Sequence, residues 1–356
     1  MEFNDVRLQY EKQASEIDAA IAQVLSGGRY VLGPAGQAFE EEFARYCGVT
    51  RGIGVGSGTD ALRIALAAVG VRPGDEVLVP AVSAAATAMA VAQLRARPVF
   101  VDIRPDDFTM DPEDAFQKCG SRTRAVVPVH LYGMPAHVKR LSEIRLPMVE
   151  DAAQAHGSDA VWGRCGSFGA AAAFSFYPTK NLGTYGDGGM IVTSSEDIFD
   201  RSRLLRNYGQ RENYASDVLG DNSRLDEIHA AILHVKKKNL DGGNRRRRSI
   251  AAAYRAGFDG LHVGLQAETG QSNFHLFVIT TPERDALRRH LASLGIPSLI
   301  HYPIPLSRQK AFAEFNPGAC PNANRLCERV LSLPMHPSLQ DFEVERVIAG
   351  VRGFFK

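Results

Sequence analysis

The chain has 356 residues, with 41 Lys and Arg against 40 Asp and Glu for a formal net charge of +1, and 45% of it is apolar or aromatic. A nearly neutral chain of this length argues neither for nucleic-acid nor for anionic-membrane binding, neither of which is expected, and allows one large domain with a smaller one beside it. The five cysteines (Cys47, Cys119, Cys165, Cys320, Cys327) form no CxxC pair, the N-terminus is charged and no apolar run approaches the roughly 18 residues of a membrane span, so a cytoplasmic protein without disulfides or a metal site is expected.

In chain order, Ile17, Ile21, Val24 and Leu25 recur at helical spacing, and Gly27-Gly28 ends that helix. A second short helix carrying Phe39, Phe43 and Tyr46 is expected after Gly33-Pro34, then a short strand and glycine turn over 54–59 and a helix over 60–69. Short apolar runs follow at 76–79, 98–101, 125–129, 147–149, 171–176 and 190–192, most of them separated by helical or loop segments. That alternation predicts an α/β fold with a mostly parallel central sheet and helices on both faces. From Thr193 the texture changes to long charged helices, predicted over 198–206, 223–240 and 245–254. The run Arg245 to Arg248 reads as a solvated helix face, because no aromatic residues interleave it. A smaller C-terminal α/β unit follows, with an apolar run over 275–279, a helix over 284–294, a strand-like 298–302 and a last helix over 342–354. The boundary falls near 240–255, which gives a large domain over 1–245 and a small one over 246–356.

Three stretches carry the chemistry. Ala171 to Gly189, AAAFSFYPTKNLGTYGDGG, reads as a buried strand that stops at Tyr177-Pro178-Thr179 and presents Lys180 ahead of a glycine-rich tail. Ligands of open α/β sheets gather just past strand ends, although a single lysine there more often reaches only solvent. Asp151 tips a second strand, PMVED, and Gly56 to Asp60, GSGTD, is a small-residue turn into a helix. An amine, a buried acid and a helix start are what a pyridoxal 5'-phosphate enzyme needs. The amine forms a Schiff base with the cofactor's aldehyde, the acid keeps the pyridine nitrogen protonated and the helix start holds the phosphate. Each has a plainer reading too: Asp151 as the N-cap of a helix beginning AAQA, GSGT as an ordinary cap, and His156 as a core histidine if it does not orient Asp151.

The stretches GGRYVLGPAGQAFEEEFARYCGV, GVGSGTDALRIAL, GDEVLVP, PVFVDI, VPVHLYG, VEDAAQAHG, FSFYPTKNLGTYGDGG, RNYGQ, NSRLDE, IHYPIPL and LSLPMHP run nearly end to end. In that order the chain resembles the DegT/DnrJ/StrS family of sugar aminotransferases. The resemblance implies the type I fold of pyridoxal phosphate-dependent transferases, with pyridoxamine 5'-phosphate formed during turnover, and a homodimer. On it, Lys180 matches the lysine that bonds the cofactor and shuttles the proton, Asp151 the acid on the pyridinium nitrogen, and Gln154 a residue beside the ring and its phenolic oxygen. Ser57, Gly58, Thr59 and Ser175 match the phosphate site. Asn222 and Arg224 match residues that reach the phosphate from the neighbouring subunit, so that each active site is shared and a monomer is inactive.

The sequence also departs from the family, which usually has an aromatic residue at Ala84 to stack on the ring, often histidine at Ser307 and usually glutamine at His229. The implied reaction is transamination, from glutamate to a keto group of a nucleotide-linked deoxysugar. The YPTKNLG lysine motif resembles that of members acting at carbon 3, for example on a dTDP-3-keto-6-deoxyhexose. A 4-keto sugar and a keto-cyclitol are the alternatives, followed by a non-catalytic cofactor-binding regulator; a dehydratase of the family usually has histidine where Lys180 stands. Tyr30, Tyr185, His301 and Tyr302 are candidate substrate contacts, since hydroxyls and imidazole can grip sugar hydroxyls or a diphosphate.

Overall fold

A computed structural model describes residues 1–212, 214–315 and 318–355. The strand expected at the start of 54–59 lies three residues earlier, as β1 (Arg51–Val55), and predicted apolar runs give β2 (Glu76–Pro80), β3 (Arg97–Val101), β4 (Thr123–Val126) and β5 (Val149–Asp151). With β6 (Ala171–Ser175) and β7 (Gly189–Thr193) they form two hydrogen-bonded groups, in the orders β1-β7-β6-β5 and β3-β2-β4. Parallel bridges Val126↔Met148 and Val129↔Asp151 join β4 to β5 and merge the groups into one sheet. Pairing is parallel from β6 through β3, whereas β7 runs antiparallel to both β1 and β6. The sheet is thus mixed at one edge, because the short 176–188 connection returns β7 beside β6 with no crossover helix.

Helices flank the sheet: α1 (Val6–Glu11), α2 (Ala14–Gly27), α3 (Pro34–Cys47), α4 (Gly58–Ala68), α5 (Ala85–Gln93) and α6 (Glu196–Arg206). One core cluster packs Ile64, Ala65 and Val91 of α4 and α5 against Val77, Val79 and Ala173, and another packs Phe39 and Phe43 of α3 against Phe174 and Val192 on the other face. Alternate residues of a strand face opposite layers, which is why β6 feeds both clusters.

The helix predicted over 223–240 begins later, as α7 (Glu227–Lys237), and residues 222–226 form an extended edge. Buried Glu227 holds that start in place: its carboxylate accepts the amides of Gly33, Ala35 and Gly36 at 2.8–2.9 Å and ties the start of α7 to the start of α3. The predicted 245–254 helix is part of a longer one, α8 (Leu240–Gly257). The C-terminal part adds β8 (Phe277–Thr280), α9 (Arg284–Ser293), β9 (Val330–Leu333) and α10 (Asp341–Phe354). Its core joins Ile250, Tyr254, Phe277, Leu287 and Val347. The strand-like 298–302 stretch reduces to one bridge, Leu299↔Ser332. Lys356, the last residue of the proposed small domain, lies outside the described residues.

Candidate active site

Three strand ends meet where the chemistry is expected. In the β5–β6 pair Asp151 lies opposite Ala173, and Ser175 of β6 lies opposite Gly189 of β7. A Cβ on Gly189 would stand 2.2 Å from the Ser57 carbonyl oxygen, and one on Gly58 would stand 2.7 Å from the Ser175 Cβ. Both positions therefore require glycine, and their close approach sets the Ser175 side chain against the turn Ser57-Gly58-Thr59. Ser57 also caps α4, its Oγ accepting the Asp60 amide at 3.1 Å, so the capping and ligand-binding readings of this turn are compatible. The first-turn amides of Gly58 and Thr59 have no intrahelical acceptor and carry the positive end of the helix dipole.

Lys180 follows a tight turn closed by its amide on the Tyr177 carbonyl at 2.9 Å. Burial lowers its ammonium to about 8, and the facing Asp151 carboxylate only partly opposes that shift. A substantial neutral-amine fraction is thus present near pH 8. Asp151 is 5% exposed, and burial raises its carboxyl above the usual range. Its Oδ2 accepts the Thr87 hydroxyl at 2.7 Å and its Oδ1 the Ala153 amide at 3.2 Å. No helix follows Asp151, so it is not the N-cap that the plainer reading suggested. A carboxylate held by two neutral donors in a dry site suits a cationic partner such as a protonated pyridine nitrogen.

Gln154 bridges the two sides of the site: its Oε1 accepts the Tyr132 amide at 2.6 Å and its Nε2 donates to the Tyr302 hydroxyl at 2.7 Å. The rings of Tyr132 and Tyr302 stack at 6.1 Å with 15° between planes. Both residues hold a positive φ, 62° and 69° respectively, a strained arrangement concentrated at functional sites. His156 does not orient Asp151: it is fully buried among Phe43, Phe174 and Phe176, and burial lowers its imidazole to about 3.

The remaining predicted residues separate into two groups. His301, whose Nδ1 pairs with Ser332 Oγ at 2.8 Å, lies within electrostatic reach of Lys180, and Tyr185 packs edge-on against Tyr10. Tyr30, Asn222 and Arg224 have contacts elsewhere in their own chain. Tyr30 is half exposed with its hydroxyl on the Leu25 carbonyl, and Arg224 donates to Asn207 Oδ1 at 2.7 Å. Along 222–227 the odd residues Ser223, Leu225 and Glu227 are buried while Asn222 and Asp226 are exposed and Arg224 is partly so. The departure positions stand apart: Ala84 precedes α5, His229 pairs with Thr184 Oγ1 at 2.9 Å, and Ser307 lies in a 3₁₀ turn. Sequence reasoning missed Thr87 and Tyr132; Thr87, three residues after Ala84 in a stretch already singled out, was the available signal.

Residues 11–352 match the model of the DegT/DnrJ/EryC1/StrS aminotransferase family. The chain is 45% identical over 359 residues to a dTDP-3-amino-3,4,6-trideoxy-alpha-D-glucose transaminase of Streptomyces venezuelae, covering 98% of this chain and 95% of that protein. It is 44% identical over 359 residues to the erythromycin biosynthesis sensory transduction protein EryC1 of Saccharopolyspora erythraea, covering 98% of each. Among solved structures, that of S. venezuelae DesV in complex with a ketimine intermediate superposes with a TM-score of 0.97 at 45% identity, covering 100% of this chain and 98% of that one. The chain belongs to the DegT/DnrJ/EryC1/StrS aminotransferase family and has its type I transferase fold.

Proposed function

We propose that this aminotransferase uses pyridoxal 5'-phosphate to move an amino group from glutamate to the keto carbon of a nucleotide-linked deoxysugar, with carbon 3 of a dTDP-3-keto-6-deoxyhexose as the preferred target. The observation that carries the reading is the pairing of an amine lowered by burial, Lys180, with a buried acid, Asp151, at adjoining strand ends. The names of the relatives favour carbon 3. When bound, the cofactor supplies an aldehyde carbon and an electron-accepting ring. Lys180 Nζ, neutral in part, would be the group that bonds the cofactor and, once displaced by substrate, the base that holds the proton in transit. Asp151, whose upward shift by burial the Thr87 hydroxyl opposes, would hold the proton on the ring nitrogen, and Gln154 fixes the Tyr302 hydroxyl. Ser57, Gly58, Thr59 and Ser175 hold the phosphate. Asn222 and Arg224, on an edge turned away from their own core, complete the phosphate site of a second subunit, and Tyr30, Tyr185, His301 and Tyr302 face the sugar nucleotide. The active unit is then a cytoplasmic homodimer divided near residue 245 into large and small domains.

The test is an absorbance spectrum of purified protein, before and after glutamate and then with 3-keto or 4-keto dTDP-6-deoxyglucose. A band near roughly 410–430 nm that moves to about 330 nm with glutamate and returns with the 3-keto sugar alone is the expected result. Return with the 4-keto sugar moves the chemistry to carbon 4. A band that ignores every amino donor favours a cofactor-binding regulator, a role that the name of the 44%-identical relative brings to mind.

A further inference from the structure

A groove of about 430 Å³ runs beneath the α1–α2 junction, between the end of α7 and the start of α8. Lys12, Lys236, Arg246 and Arg247 line it, and no carboxylate does. Arg246 is neutralised by Asp341 at 2.7 Å. The other three cations have no carboxylate partner among the described residues. Arg247 spends its Nη1 on the carbonyls of Phe274, His275 and Met335, and Lys12 reaches only Ser338 Oγ at 3.3 Å. Lys236 is the extreme case: it is 6% exposed, its Nζ donates to nothing among the described residues, and it lies over the Tyr185 ring, 4.6 Å from Nζ to centroid. Buried ammonium groups without a counter-charge are expensive, and three like charges around one cleft add repulsion.

A second cavity shows the contrast. The 770 Å³ depression between α3, α6 and β1 is also rich in arginine, but Arg206 there pairs with Glu40 and Arg51 with Glu196. Four arginines share the lining of that cavity with the carboxylates of Glu40, Glu41, Glu196 and Asp200, whereas the groove has cations and no carboxylate. The first turn of the eighteen-residue α8 also lines the groove, and its Asn239 N-cap makes no side-chain cap, so no side chain of that cap competes for its first amides. The missing partner is an anion with several acceptor oxygens.

We propose that this groove is a phosphate-binding site in which Lys236, with Lys12 at its rim and the α8 amides opposite, takes the oxygens of a phosphate or diphosphate. Lys236 serves because a flexible four-carbon stem carries three rotatable donors that can turn from the Tyr185 face to the ligand. Two sources supply such a group, the diphosphate of the nucleotide-linked substrate and a free inorganic anion. The first rests on the function proposed above; the site itself does not. Asn181, the neighbour of Lys180, lines the same groove, so occupancy acts directly behind the catalytic turn.

The test is isothermal titration of cofactor-loaded protein with inorganic pyrophosphate, together with melting curves. Wild type is expected to bind and to melt higher with pyrophosphate, and Lys236→Met to lose affinity by about tenfold or more. Lys236→Arg keeps most of the binding, and Lys12→Gln weakens it less than Lys236→Met. Without ligand, Lys236→Met melts at or above the wild-type temperature, which is opposite to the loss expected if the lysine were a structural prop. Equal affinity in wild type and Lys236→Met, or no pyrophosphate binding by wild type, overturns the site, the latter meaning that a bridging water on the orphaned Gln13 Oε1 and Lys236 Nζ suffices. Steady-state kinetics then separate the sources: a raised KM for the sugar nucleotide with an unchanged glutamate half-reaction assigns the substrate's diphosphate, and unchanged kinetics with lost pyrophosphate binding assign a free anion. Because titration needs no turnover, a failed transamination assay leaves this result standing.

Discussion

Lys180 and Asp151 are each destabilised in their charged forms by the burial that makes them useful. Replacing Lys180 with alanine removes the proposed nucleophile and proton carrier, and turnover is expected to fall by roughly four orders of magnitude while the fold is retained, as checked by single-turnover kinetics and circular dichroism. Thr87 is the residue whose contribution is least visible from composition. Its hydroxyl opposes the burial that raises Asp151, so Thr87→Val raises the carboxyl further. The acid limb of the kcat/KM profile should then move to higher pH, with little change above it; an unmoved limb shows that Asp151 is not the group that titrates there. Lys180 also couples stability to pH in the cofactor-free protein. Its folded value of about 8 lies below the unfolded value near 10.4, so the unfolded state binds the extra proton between those limits. The lysine therefore lowers stability below that window, and the cost is lifted as pH rises through it. The difference in melting temperature between wild type and Lys180→Met should accordingly shrink from pH 7 to pH 10.

At the scale of elements, β5 shows how one short strand serves two layers. Successive side chains point to opposite faces, so Asp151 meets the site while Glu150 is buried behind it. Glu150 accepts the amides of Gly166, Phe168 and Gly169 at 2.8 Å and pairs with His130 Nε2 at 2.9 Å. The His130 Nδ1 in turn accepts the Ala136 amide at 3.0 Å, which fixes the ring's tautomer. Glu150→Leu would leave three amides and an imidazole unsatisfied, and a loss of about 3–5 kcal/mol in chemical unfolding is expected. Helix existence was legible from apolar spacing, as in α2 and α3, whereas the start of α7 was not. Nothing in NSRLDE announces that Glu227 will be claimed by the amides of Gly33, Ala35 and Gly36, nearly two hundred residues earlier in the chain. The antiparallel β7 was hidden for a similar reason, because an apolar run carries no direction.

For the whole molecule, the proposed homodimer with shared active sites is open to a direct test. If Arg224 serves the partner's phosphate, Lys180→Ala and Arg224→Ala homodimers are both impaired, yet their mixture forms hybrids with one site that keeps both residues. Activity recovered on mixing, up to about a quarter of wild type for random exchange of subunits, is the expected result; no recovery on proven exchange places both residues in one subunit's site. What the sequence determined by itself was local and ordered along the chain: the strand-and-helix alternation, the Lys180 motif, the Asp151 strand tip and the GSGTD turn, each readable because its meaning lies within about ten residues. Tertiary structure decided what depends on neighbours distant in sequence. It brought Thr87 to Asp151, joined Gln154 to Tyr302, buried His156 among three phenylalanines and left Lys236 buried with no carboxylate partner among the described residues. These outcomes were closed to sequence reading because burial, desolvation and hydrogen-bond satisfaction are properties of an environment, and that environment exists only once the sheet has brought its strand ends together.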